Sequence, residues 1–436
     1  MLWDQKVRYA TLSDIGLRRR NNQDSFCVQM CSEQEVWEKY GHIFIVADGM
    51  GGHAVGELAS KMAVDNIPLT FFKSRAEPLS NALKEAIEHA NAAIYKRGSE
   101  NRDFNRMGTT CVVLVLSPRG ALFGHVGDSR AYRVRSDRIE QLTFDHSLQW
   151  ELERQGRIKK NDVYLSEVKH VITRSLGPEP VVEAEMDGPH PVMPNDRFLL
   201  CSDGLTGNIS DSEIGMIVRE LPPEESARLL VHLANLRGGS DNTTVIVVQA
   251  GDLPGCPTPA EPISAPKRRH RGASLLWFFL AFASLGGGIA LFSEGFRVYA
   301  FGAFVTALLL LIIAVLSLRS QPDHDPIGDA DEGDATVDHH PYRIASARTT
   351  KEFMANLAQM ELELRKMAHE ESWAIDWEVH GKIIIAAKSA LDRRVASLAM
   401  SELGKAIDLL MTGFHAHRKK LKQQKRDAAD GDGSGG

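Results

Sequence analysis

The chain has 436 residues, more than one domain usually needs, and its 25% charged and 43% hydrophobic content is an ordinary globular balance. A formal net charge of −6 gives no case for nucleic-acid binding by the chain as a whole. Five cysteines without CxxC spacing argue against a disulfide framework and suit a reduced compartment, and the opening MLWDQKVRYATLSD lacks the apolar run of a cleavable signal peptide.

Taken in order, residues Arg8 to about Gln249 read as the first folded unit. RYATLSDIG is a strand entering a polar turn, LRRRNNQD is a charged connection, and DSFCVQM resumes a strand. Ile43–Val46 is an apolar, β-branched run that stops at Asp48, where Gly49, Gly51 and Gly52 let the backbone turn and face a ligand. HAVGELASKMAVDNI is helical in period. PLSNALKEAIEHANAAIYKRG is a second helix, with Ser80 as N-cap and Leu83, Ile87, Ala90 and Ile94 on one face. Cys111–Leu116, Ala121–Gly127 and Arg130–Arg135, separated by short turns, predict an antiparallel meander. The segment from Asp145 to His170 is polar, helical and flap-like. Arg197–Leu205 repeats the strand-then-Asp-Gly pattern, two short helices follow, and Ser240–Gln249 closes the unit with Asp241 just before a β-branched strand.

The composition then changes. Residues 251–273 read as a linker ending in the basic cluster Lys267–Arg271. Ser274–Phe292 and Val298–Leu318 contain no charge and are each near the roughly 20 residues a helix needs to cross a bilayer, so 274–318 is expected to be a transmembrane hairpin; two buried core helices are the alternative. Basic residues on both flanks place the flanks in the cytoplasm and the loop Ser293–Arg297 outside. This makes the protein a multi-pass cell-membrane protein with a cytoplasmic N-terminal unit and tail. Residues 319–345 are acidic and expected to be disordered, 346–425 form a helical tail, and 426–436 are solvated. In the tail Phe353, Leu357, Met360, Leu364 and Met367 form an a/d seam that fits either a packed helical hairpin with Ile384–Met411 or a homodimer.

Four strand ends carry an aspartate, Asp48, Asp128, Asp203 and Asp241, and Asp24 stands at a fifth strand boundary. No His or Cys cluster accompanies them, and an all-oxygen set selects a hard ion, Mg²⁺ or Mn²⁺, with Ca²⁺ open. Converging carboxylates repel unless cations neutralise them, and a pair of ions sharing one carboxylate suits attack on phosphorus.

In chain order the motifs SDIGLRRRNNQD, VADGMGGH, MGTT, GHVGDSRAYR, LTFDHS, ITRSLG, FLLCSDGL and GGSDNTTVIVV resemble those of the type-2C, metal-dependent (PPM) serine/threonine protein phosphatases, of bacterial type, over roughly Arg8–Gln249. The resemblance implies an α+β domain at 1–250, a four-layer α-β-β-α sandwich of two antiparallel sheets. It implies direct hydrolysis of phosphoserine and phosphothreonine in proteins by a hydroxide bridging two Mn²⁺ or Mg²⁺ ions. Carried over by motif, Asp48 bridges the metals, the Gly49 carbonyl binds the second, Asp203 and Asp241 hold the first with Asp48, Asp24 acts through metal-bound water, and Asp128 with Asp203 forms a weaker third site. Arg19 clamps the substrate phosphate, with Arg18 and Arg20 as the other candidates. Gln23 stands where many members carry Glu, and Met50 where animal members carry the His proposed as general acid; His53 is near, but a His at a helix start more often has a structural role. Phosphorylated proteins are the implied partners, with a Ser/Thr kinase as natural counterpart by analogy. The competing reading is a membrane-anchored pseudophosphatase or phosphoprotein-binding scaffold.

Overall fold

The structure, a computed structural model, describes residues 6–51, 54–104, 106–155, 157, 171–251, 253, parts of 283–308 and 341–432. The chain divides into two compact units, residues 1–258 with 337–436, and residues 259–336.

The first unit holds two six-stranded sheets, antiparallel throughout. One runs in the order β2 (Asp24–Gln29), β3 (His42–Met50), β5 (Cys111–Ser117), β6 (Gly120–Val126), β9 (Glu185–His190), with the two-residue β4 (Gly108–Thr109) pairing to the end of β3. The other runs β1 (Val7–Asp14), β11 (Thr243–Ala250), β10 (Arg197–Cys201), β7 (Arg130–Arg135), β8 (Arg138–Gln141), β12 (Arg343–Ser346). Their apolar runs are continuous because both faces are covered. Along β3, Phe44 and Val46 pack with Phe198, Leu200, Ile246 and Val248 between the sheets, while Ile43 and Ile45 pack outward on Ile67, Leu83 and Ile87. Those last residues belong to α2 (Ala54–Phe71) and α3 (Leu79–Glu100). The short α1 (Gln34–Lys39) anchors its end with buried Trp37. α4 (Leu148–Arg154) is the described part of the expected flap, and α5 (Asp203–Thr206) is a single turn. α6 (Asp211–Glu220) and α7 (Pro223–Leu236) cover the second sheet.

Several expectations are corrected in detail. The strand at the opening motif runs on through Asp48 to Met50. The helix expected to be capped by Ser80 starts at Leu79 with Pro78 at the N-cap. The three strands expected as one meander do not form it: β5 pairs with β6, but β7 belongs to the opposite sheet, so the chain crosses between sheets at Gly127–Ser129.

The largest difference is in the tail. Residues 343–345, expected as part of a disordered linker, lie in β12, which pairs with β8 from Arg343↔Gln141 to Ser346↔Arg138. Arg348 pairs with Asp137 and Arg219 donates to the Ala347 carbonyl. Then α10 (Ala396–Asp432) packs on α7 and α6, and α8 (Lys351–Glu370) and α9 (Trp377–Asp392) pack on α10. Phe353, Leu357 and Leu364 of the seam share one core with Leu229, Leu230 and Leu233 of α7 and Leu403, Ile407 and Leu410 of α10. The seam is used within the chain, on more than a hairpin, and only Met367 of its five residues is exposed. Asp408 fixes the join with bonds of 2.8 Å to both Arg228 and His232, and these partners hold its carboxyl below the usual range against the opposing effect of burial.

Within the second unit, the described parts of the expected spans are helical, and the hydroxyls of Ser284 and Thr306 lie 2.9 Å apart. Among the described residues no helix is long and apolar enough to cross a membrane. Much of 274–318 and of the acidic stretch to 340 lies outside the described residues.

Because the tail core is continuous with that of the sheets, Leu410→Ala in α10 is expected to cost about 2–5 kcal/mol, as a buried leucine truncation does, and to lower the same unfolding transition that Leu229→Ala in α7 lowers. Urea titration of the full chain followed by tryptophan fluorescence checks this; a separate tail transition would contradict it.

Candidate active site

The five aspartates come from both sheets and converge. Asp24 and Asp48 are direct cross-strand partners in the β2–β3 pair. Asp128 lies on the crossing from β6 to β7, Asp203 follows β10 at the start of α5, and Asp241 precedes β11. Asp48 is pushed well above the usual carboxylate range, first by burial and then by the charges of Asp24, Asp203, Asp128 and Asp241. Those four neighbours and Asp48 itself are the acids expected to meet. Asp24 is pushed up to about 7 by burial, against hydrogen bonds from Ser202 and Thr244, with Asp203 and Asp241 adding repulsion. Asp128 is pushed up to about 8 by burial, then by Asp203 and Asp145.

Backbone and hydroxyl contacts hold these repelling groups in place. Thr110 Oγ1 accepts the Asp48 amide at 3.0 Å and lies 2.7 Å from the Ser129 hydroxyl, which ties the β3 end to the Asp128 corner. Ser202 donates to Asp24 Oδ2 at 2.8 Å, linking the two sheets. Asn242 accepts the Gln23 amide at 2.9 Å and donates to the carbonyls of Ile15 and Asn21, binding the Asp241 end to the arginine loop. His146 accepts the Gly127 amide through Nδ1 at 3.0 Å, and burial keeps its ring neutral, with its pKa lowered to about 2. Gly49 must be glycine for closeness: a Cβ there would lie 2.1 Å from the Gly56 carbonyl in α2. Thr110, Ser202, Asn242 and His146 all lie within the quoted motifs, but their roles were not legible there because each acts on a group brought from elsewhere in the chain.

Of the three consecutive arginines, Arg19 donates to Asp241 Oδ2 at 2.6 Å, and this bond above all holds its proton on, with Asp48 and Asp203 adding attraction. Gln23 donates to the Gly51 carbonyl at 3.2 Å. His53 lies outside the described residues. Among the described cysteines, burial raises the Cys31 thiol to about 11 and the Cys111 thiol to about 12, which disfavours the thiolate a nucleophile needs. The acids fit hard cations. Asp24 Oδ1 and Asp128 Oδ1 are buried acceptors with no hydrogen-bond partner, the arrangement a cation satisfies. Among the described residues no three such side chains are drawn tightly enough to chelate one ion as they stand.

The family profile for Protein phosphatase 2C matches residues 11–243. The chain belongs to that family. It is similar to the Serine/threonine phosphatase stp of Listeria innocua, 36% identical over 242 residues, which are 54% of this chain and 93% of the relative. It is also similar to Protein phosphatase PhpP of Streptococcus pneumoniae, 35% identical over 251 residues, 56% of this chain and 98% of the relative. Among solved structures it resembles the S. agalactiae serine/threonine phosphatase, with a TM-score of 0.51, 34% identity, and coverage of 56% of this chain and 99% of that one. The Mycobacterium tuberculosis serine/threonine phosphatase PstP/Ppp gives a TM-score of 0.50 at 32% identity, over 56% of this chain and 99% of that one. The protein is thus a metal-dependent serine/threonine protein phosphatase, an enzyme acting on phosphorylated proteins. Its phosphatase region has the two antiparallel sheets flanked by helices that the resemblance implied. The matched region stops short of β12 and the helices that follow.

The raised carboxylates set a sign for pH dependence. Folded-state values above the unfolded value of about 4 contribute stability that is complete below that value and is lost as pH rises through about 7 for Asp24 and about 8 for Asp128. In chelator, the thermal midpoint of the wild type relative to Asp24→Asn is therefore expected to fall between pH 5 and 9, and Mn²⁺ to remove the fall. Thermal shift across that range checks it.

Proposed function

We propose that this phosphatase hydrolyses phosphoserine and phosphothreonine in proteins by direct attack of water, without a phosphoenzyme, on a site built from Asp24, Asp48, Gly49, Asp128, Asp203, Asp241 and Arg19. The observation that supports it is Asp48, which four other carboxylates from two sheets surround. Asp48 lies among the acids of both sheets and would be the residue to hold both of two Mn²⁺ or Mg²⁺ ions. Asp203 and Asp241 would help to hold one and the Gly49 carbonyl the other, Asp24 would act through bound water, and Asp128 with Asp203 would offer a weaker third place. When bound, the cations supply an activated water and offset the charge on the phosphoryl oxygens.

The chain's residues do the rest. Arg19, on an exposed loop and already bonded to Asp241, exchanges that carboxylate for the ester oxygens, which its planar fork can hold bidentately. The Thr110, Ser202 and Asn242 contacts fix where the acids stand, so little reorganisation accompanies attack. Met50 carries no proton to give, so the leaving alkoxide takes its proton from water. Retention of the full acid set favours this reading over a non-catalytic scaffold.

The same proposal places the enzyme at a membrane through 274–318, with the phosphatase domain and tail in the cytoplasm. Its support is two uncharged stretches beside the basic cluster Lys267–Arg271. Tethering raises the effective concentration of phosphoproteins at the same membrane, a Ser/Thr kinase among them.

Asp48→Ala is expected to abolish Mn²⁺-dependent hydrolysis of p-nitrophenyl phosphate; a variant that kept substantial activity would refute the site. Arg19→Ala should lower kcat/KM roughly 10- to 100-fold, the loss of about 1.5–3 kcal/mol of a charge-assisted hydrogen bond, measured with a phosphopeptide under the same conditions. For the membrane assignment, the full chain should stay in the pellet after an alkaline carbonate wash, and a chain lacking 274–318 should leave it. Release of both would overturn the tether alone.

A further inference from the structure

A cavity of about 320 Å³ adjoins the acidic cluster, and its wall includes Asp128, Asp203, Ser147, Trp150, Ser210 and Arg343. Five of these lie in the family-matched region; Arg343 does not. It arrives on β12, after the whole stretch from 251 to 342. Its guanidinium lies 4.6 Å from the Trp150 ring centre and donates to Glu153 at 3.1 Å, so one side chain grips two residues of α4. The preceding residue, Tyr342, packs edge-on against Phe144 at 5.2 Å and Trp150 at 6.2 Å. Its amide donates to the Gln141 carbonyl at 3.1 Å, which ties this pair of residues to the sheet edge. α4 buries none of its own side chains, so these contacts weigh heavily in where it stands. The tail also touches the arginine loop, where Arg418 of α10 donates to the Leu17 carbonyl at 3.2 Å, two residues before Arg19.

We propose that the C-terminal segment is a working part of the substrate cavity: Arg343 and Tyr342 position Trp150 and α4, and so govern how a polar peptide segment flanking the phosphoresidue is held beside the acidic cluster. The proposal rests on the site assignment above. A wall that contacts the flanking peptide matters to a phosphoprotein and much less to a small aryl phosphate, which occupies only the phosphate position. Arg343 is a positioning residue; it acts through Trp150 and Glu153.

The test compares Arg343→Ala, Arg343→Lys and Tyr342→Ala in the full detergent-solubilised chain with Mn²⁺, on a phosphothreonine peptide and on p-nitrophenyl phosphate. In Arg343→Ala the peptide kcat/KM is expected to fall about tenfold more than that of the aryl ester, with the loss in KM, as for removal of one charge-assisted contact and one stack. Arg343→Lys keeps the charge toward Glu153 but loses the flat stacking face, and should recover part of the difference. Tyr342→Ala should shift the same ratio in the same direction. Equal losses on both substrates, or no change in the ratio, would overturn the proposal. Should Arg343→Ala fail to fold, the ratio in Arg343→Lys and Tyr342→Ala decides in the same way. Asp48→Ala run alongside separates the two readings: its loss of both activities upholds the site whatever Arg343 does, and its survival removes the site itself.

Discussion

Carboxylates that repel one another stay together only if the backbone holds them there. In this protein two sheets bring their strand ends to one place, and short hydrogen bonds lock each end to a neighbour from the opposite side. Ser202 spans the sheets to Asp24, Thr110 joins the Asp48 strand to the Asp128 crossing, and Asn242 ties the Asp241 turn to the arginine loop. Burial above all, with the mutual repulsion added to it, makes Asp24, Asp48 and Asp128 hold protons far more readily than a free carboxylate. The same geometry that is costly for the bare chain is what gives divalent cations their grip. The sandwich core exists, in this sense, to carry charges to its edge.

The acids were legible in the sequence because each stands at a strand boundary: Asp48, Asp128 and Asp203 follow apolar runs, and Asp24 and Asp241 open or precede them, a local pattern. Both faces of those strands could also be read as buried, since Ile43 to Val46 has no polar alternation. Sheet membership was not legible. Nothing between Val126 and Arg130 distinguishes a hairpin from a change of sheet, since both need the same Gly and Asp; only the packing of β7 on β10 decides it. The supporting hydroxyls and amides escaped for a related reason: their partners are far away in the chain, and composition carries no distance.

The tail shows a different limit. Its helices were visible by period, and its seam was real, but period does not say what a seam packs against. The seam's helix packs on α10, which itself rests on α7 and α6, and the four-residue β12 was too short and too polar to stand out beside an acidic stretch. The catalytic domain therefore does not end where the family match ends. Helices after β12 cover one side of the sandwich in this chain, and a cavity wall comes with them.

Among the described elements of the first unit, β12 and the three helices after it are synthesised last. Until they emerge from the ribosome, the side of α7 that carries Arg228, Leu229 and His232 lacks its cover of α10, and the edge of β8 has no neighbour. A product that stopped before β12 would carry all five converging aspartates and still leave that flank bare, so unfinished copies are marked by their own exposed surface.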